Sequence, residues 1–229
     1  TTLCFSATMN PKVKRSAYNF SKNPIFISAG DEEDNLLNIE QKFVFTTESQ
    51  KIDALCEILN RDIPFMAIIF CNTKKQVDML DDVLYERAYN CQKLHGDITQ
   101  AKREKIIKTF REMNIQYLVS SDLAARGLDI NGVTHIFHFD VPESTETYVH
   151  RIGRTARAGQ SGISYLLVNK KEKKQFRTIE KDLKINMIED SFEVGENIVA
   201  KNQPEKSKYN KRVSTKIKKY DRGKGKRIG

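Results

Sequence analysis

The chain has 229 residues, of which 39% are hydrophobic and 30% charged, and a net charge of +9. Domains typically run roughly 100–200 residues, which leaves room for one α/β core with flanking pieces. No apolar run approaches the roughly 18 residues needed to span a bilayer, so the expectation is a cytoplasmic protein without a membrane anchor.

The opening TTLCFSATMN has no initiating Met and no basic region leading into an apolar one, which argues against a signal peptide and for a start inside a longer protein. Ile25–Ser28 is the first apolar, β-rich run. The acidic AGDEEDNLLN of Ala29–Asn38 has little structure-forming character and is expected to be a linker, with residues 1–28 belonging to a preceding domain.

From there strand and helix patterns alternate. Short apolar runs at Gln41–Phe45, Met66–Cys71, Gln92–Leu94, Gln116–Ser120, His135–Phe139 and Ser164–Val168 predict strands. Gln50–Asn60, Lys74–Ala88, Gln100–Glu112, Ser144–Ile152 and Lys171–Leu183 place apolar residues three and four apart, as in Val77, Leu80, Val83 and Leu84, and predict amphipathic helices. Strands as uniformly apolar as AIIF fit a mostly parallel sheet covered by helices on both faces, where sites form at the carboxyl ends of strands. The expected core is residues 39–190.

Beyond it, residues 191–229 are basic. Ala200–Gly229 alone holds twelve Lys/Arg against Glu205 and Asp221, a net +10, and the first 199 residues come to −1. So few large apolar side chains cannot offset the entropy of ordering, so a disordered tail is expected, with nucleic acid as its natural partner. A merely solubilising terminus is the plainer alternative. Cys4, Cys56, Cys71 and Cys91 are irregularly spaced and lack a histidine cluster, which points to reduced, buried thiols and no metal site.

Five segments fall after strands or at the start of the chain: SAT at Ser6–Thr8, IIFCNT at Ile68–Thr73, LHGDITQAKR at Leu94–Arg103, SSDLAARGLDI at Ser120–Ile130 and HRIGRTARAG at His150–Gly159. In this order the set resembles the DEAD-box RNA helicases, specifically their C-terminal RecA-like domain, over about residues 1–185. The resemblance implies an α/β, RecA-like fold of the P-loop NTPase type.

It also implies roles. Arg154 and Arg157 resemble arginine fingers that complete an ATP site, where charge developing between the β- and γ-phosphates needs fixed cations. Their spacing of three would bring both to one side if a helical turn persists, with Arg151 pointing elsewhere. The plainer reading of HRIGR is a solvated basic helix end. Asp129 is implied for the ribose hydroxyls, Ser121 for an RNA phosphate, and Asn72, Thr73, Gly96 and Arg103 for the RNA backbone. Ser6 and Thr8 would couple this half to the preceding one, with His150 near the nucleotide.

Alternatives stay open residue by residue. Arg103 could be a surface residue paired with a neighbouring acid, His150 a satisfied buried histidine, and Asp122 and Asp129 caps or partners for Arg126, the preferred reading for Asp122. His95, His135 and His138 are assigned structural roles, the last two on opposite faces of one strand.

Two positions depart from the family pattern: Ser121 stands for Thr and keeps the hydroxyl, and Ala156 stands for Gly and tests whether positive φ is required there. ATP with Mg²⁺ is the implied cofactor, its metal ligands expected on an N-terminal RecA-like domain. The resemblance implies that domain and RNA as partners, and neither GxxxxGK[ST] nor DEAD, which would hold the β-phosphate and Mg²⁺, occurs in this sequence. The competing readings are an ATP-independent RNA-binding or annealing module acting through the tail, and a helicase of the same fold with another substrate.

Overall fold

The computed structural model describes residues 2–5, 11–27, 38–128, 130–156 and 161–191. Seven strands form one sheet: β1 (Ile39–Phe45), β2 (Ala67–Cys71), β3 (Cys91–Leu94), β4 (Tyr117–Ser121), β5 (His135–His138), β6 (Gly162–Val168) and β7 (Ile188–Glu189). Their order is β3-β4-β2-β5-β6-β1-β7, and every pairing is parallel.

The helices are α1 (Pro11–Phe20), α2 (Lys51–Asp62), α3 (Lys74–Glu86), α4 (Gln100–Arg111), α5 (Asp122–Ala125), α6 (Thr145–Ile152) and α7 (Lys173–Leu183). Their faces follow from the handedness of parallel crossovers. Moves toward the β3 edge, from β1 to β2 and from β2 to β3, put α2 and α3 on one face, over Ile69, Val119 and Phe137. Moves the other way put α4 and α5 over Ile68, Leu118 and Ile136, and α6 and α7 over Phe43, Leu166 and Val168. The helices therefore cover both faces, and the connection after β2 leaves on the face opposite to those after its neighbours β4 and β5, the kind of place where open α/β sheets bind their ligands.

Local signals fix the helix ends. The Thr73 hydroxyl accepts from the Gln76 amide at the start of α3, and the Ser144 hydroxyl accepts from the Thr147 amide at the start of α6. At the end of α2, Ile63 turns left-handed at φ 45° ahead of Pro64.

Not every expectation matches. Ile25–Ile27 is exposed and forms no strand: a strand needs a ladder partner, and none pairs with it among the described residues. The thiols of Cys56, Cys71 and Cys91 are buried, but that of Cys4 is exposed. Helix α1 and the two-residue β7 were not anticipated. The basic tail after Ser191 and the proposed linker, apart from Asn38, lie outside the described residues.

Candidate nucleotide and nucleic-acid site

One row of paired residues crosses the sheet: Leu94, Ser120, Phe70, His138, Leu166 and Phe43. The sequence-predicted RNA residues sit just past this row, at the carboxyl ends of three adjacent strands. Gly96 follows β3, Ser121 closes β4, and Asn72 and Thr73 follow β2.

Ser121 is nearly buried and its hydroxyl makes no hydrogen bond among the described residues. Thr73 is exposed, its hydroxyl shared between the amide and side chain of Gln76. At Gly96 an added Cβ would make only ordinary contact with Lys74, at 3.5 Å, so the backbone itself does not demand glycine there. Arg103 on α4 donates to the Ala124 carbonyl at 2.6 Å, tying α4 to the segment after β4.

Beneath these turns lies a buried polar network that the sequence reading did not assemble. The Arg151 side chain, 1% exposed, lies over the Phe70 ring and meets Asp122 with two nitrogens, at 2.6 and 2.7 Å. It also donates to Asn72 Oδ1 at 2.7 Å and to the Asp140 carbonyl at 2.9 Å. The Asp140 carboxylate accepts from the Asn72 amide and from Gln76, each at 2.9 Å, and faces Lys51 at 3.4 Å. Lys51, fully buried, also reaches Glu172 at 2.9 Å, whose carboxylate accepts from the amides of Val141 and Asn169. Asp122 is thus a structural carboxylate, but its partner is Arg151 rather than Arg126.

A sequence signal for Lys51 existed. It opens α2, where a cation opposes the helix dipole, so its presence there calls for nearby acids.

The arginine segment departs from the expected helical turn. Helix α6 stops at Ile152, Gly153 and Arg154 form a turn, and Ala156 takes φ 54°, so Arg154 lies past the end of the helix. Arg154 donates to the Leu128 carbonyl at 2.8 Å and to the His150 carbonyl at 3.3 Å. This sets the guanidinium against the residue preceding Asp129. His150 is half-buried in the last turn of α6.

Ser6, Thr8, Asp129 and Arg157 lie outside the described residues. The left-handed Ala156 implies a measurable cost, since a Cβ is disfavoured there by about 1 kcal/mol. Ala156→Gly is expected to stabilise the domain by about that amount in urea unfolding.

The two strand histidines point to opposite faces. His135 stacks on Phe137, whereas His138 stacks between Phe70 and Tyr148 and bonds to Ser164 at 3.2 Å. Burial, reinforced by the Arg151 guanidinium, holds the His138 imidazole well below its ordinary value, and burial also lowers His135. His138 stays neutral in the fold but takes up a proton on unfolding below about pH 6.5, and His135 adds in the same direction. Stability is therefore complete above that pH and falls as pH drops, by up to about 1.4 kcal/mol per unit from His138. Denaturation midpoints between pH 7.5 and 5.5 should show this slope, and His138→Gln should flatten it.

Comparison with known proteins fits this geometry. Residues 50–159 match the model of the helicase conserved C-terminal domain. The chain is 45% identical over 186 residues to the DEAD-box ATP-dependent RNA helicase CshA of Bacillus cereus and 44% identical to that of Bacillus subtilis. Each match covers 81% of this chain but only 35% and 38% of the relative.

Among solved structures, the E. coli DEAD-box protein SrmB bound to regulator of ribonuclease activity A matches at 33% identity and TM-score 0.63. That match covers 67% of this chain and 91% of the other. S. cerevisiae Dbp5 bound to RNA and ADP BeF3 matches at 28% identity and TM-score 0.75, over 94% of this chain and 54% of the other. Strand-end motifs, an all-parallel sheet and these likenesses converge: the chain belongs to the DEAD-box ATP-dependent RNA helicases, and its sheet is the C-terminal RecA-like domain of that family.

Proposed function

We propose that this chain is the half of an ATP-dependent RNA helicase that grips the RNA backbone and completes an ATP site built mostly on an N-terminal RecA-like domain. In this reading residues 1–28 belong to that domain, 29–38 link the two, 39–190 are the working half and 191–229 are a basic tail. The observation that supports it is the convergence of Asn72, Thr73, Gly96 and Ser121 on three neighbouring strand ends.

Backbone amides, hydroxyls and a glycine suit phosphates and ribose, which carry no base code, so the substrate is a strand rather than a sequence. Arg154 and Arg157 would meet the nucleotide phosphates, Asp129 the ribose, and His150 the edge of that site. Bound ATP with Mg²⁺ supplies the energy of the cycle, and its metal ligands are assigned to the other domain. Ser6 and Thr8 would couple the halves, so that short RNA duplexes are opened when the two domains close. Because Arg154 and Arg157 act only when the domains meet, this half alone is expected to be inactive.

The second reading, annealing through the +10 segment Ala200–Gly229, rests on that charge alone. Photo-crosslinking an oligouridine to the intact protein with a non-hydrolysable ATP analogue separates the two. Crosslinks on peptides bearing Asn72–Thr73, Gly96 and Ser121 are expected. Crosslinks confined to residues 200–229 would instead support the annealing module.

A further inference from the structure

We propose that Lys51 is a positioning residue for RNA engagement, acting through Asp140 without touching RNA or nucleotide. The inference rests on the RNA-binding reading above.

Lys51 is fully buried at the start of α2, with its ammonium 5.4 Å from the centre of the Phe139 ring. Two carboxylates from different parts of the chain converge on it: Asp140, past the end of β5, and Glu172, ahead of α7. Each of those residues holds backbone. Asp140 Oδ2 accepts from the Asn72 amide, Oδ1 accepts from Gln76, and its carbonyl accepts from Arg151. Glu172 accepts from Val141, the next residue after Asp140.

The ammonium is the cation common to both carboxylates. It fixes the segment Asp140–Val141 between the turn that carries Asn72 and Thr73 and the helix that leads to Arg154. Two carboxylates left side by side in a buried site repel each other, and the segment between them must shift or take up water. Because Asp140 bonds the Asn72 amide directly, that shift reaches the strand-end turn proposed to hold an RNA phosphate. A displacement on the order of 1 Å there is enough to weaken a hydrogen-bonded contact.

The test is RNA affinity of the intact protein, measured by fluorescence anisotropy with a labelled oligouridine and a non-hydrolysable ATP analogue, alongside a thermal melt. Lys51→Met, which keeps the length of the side chain but removes its charge, is expected to weaken RNA binding by about tenfold in protein shown to be folded. Lys51→Arg is expected to recover affinity to within about threefold of the original.

A purely structural role would lower the melting temperature and leave the affinity of the folded protein unchanged, and that result overturns the proposal. If Lys51→Met does not fold, Glu172→Gln decides: it leaves Lys51 one carboxylate and is expected to weaken RNA binding by about threefold, whereas unchanged affinity contradicts the inference. Absence of RNA binding by the unsubstituted protein would instead overturn the RNA-binding reading itself.

Discussion

Replacing Arg151 with alanine is expected to cost the domain about 3–5 kcal/mol, enough to leave much of it unfolded under ordinary conditions. The side chain is 1% exposed and serves Asp122, Asn72, the Asp140 carbonyl and His138 together. Truncation strands a carboxylate and several acceptors and opens a cavity against Phe70. Arg151→Lys keeps a charge but cannot span a bidentate carboxylate and two further acceptors, so an intermediate loss of roughly 2 kcal/mol is expected.

Urea unfolding of the single variants and of Arg151→Ala with Asp122→Ala checks the mechanism. The double variant should cost clearly less than the two single losses added, because removing Asp122 also removes the stranded charge. Strict additivity would mean that the pair does not act as a unit.

Arg154→Ala, by contrast, is expected to leave the fold largely intact and act on turnover. A guanidinium supplied across a domain interface is worth roughly 10³-fold or more in phosphoryl transfer. The intact, two-domain protein should therefore lose about that factor in kcat for RNA-stimulated ATP hydrolysis. Arg154 also donates to the Leu128 and His150 carbonyls, so a thermal melt must accompany the kinetics. Arg154→Lys should recover little, since a point charge cannot both bridge to Leu128 and reach a phosphate. A loss below tenfold in folded protein would contradict the assigned role.

Much of the architecture was legible in the sequence because buried parallel strands carry it openly. Ala67–Cys71 is apolar throughout and buried throughout, and the run from Met66 marked it within one residue. The helices facing it show three- and four-residue spacing for the same reason, as Val77, Leu80 and Leu84 all enter one core.

What failed was whatever depends on a distant partner. Ile25–Ile27 has strand composition but no ladder among the described residues, and Ile188–Glu189 forms a strand only because β1 offers its open edge. At Ala156 the alanine itself suits an unbroken helix, and only the glycine of the family pattern at that place pointed to the left-handed turn. At the site, the turns that carry Asn72, Gly96 and Ser121 could be placed from their position after strands. The network beneath them could not, because Lys51 at a helix start calls for acids without saying which, and Asp140, Arg151 and Glu172 each read alone as an ordinary surface charge.

The central claim is that this fold is half of a composite ATP site, and steady-state ATP turnover with saturating RNA tests it most directly. The chain alone should show no turnover above background. Joined to an N-terminal RecA-like domain that carries a phosphate loop and a DEAD motif, it should hydrolyse ATP in an RNA-stimulated manner. Turnover by the chain alone at the rate of the joined protein would contradict the account.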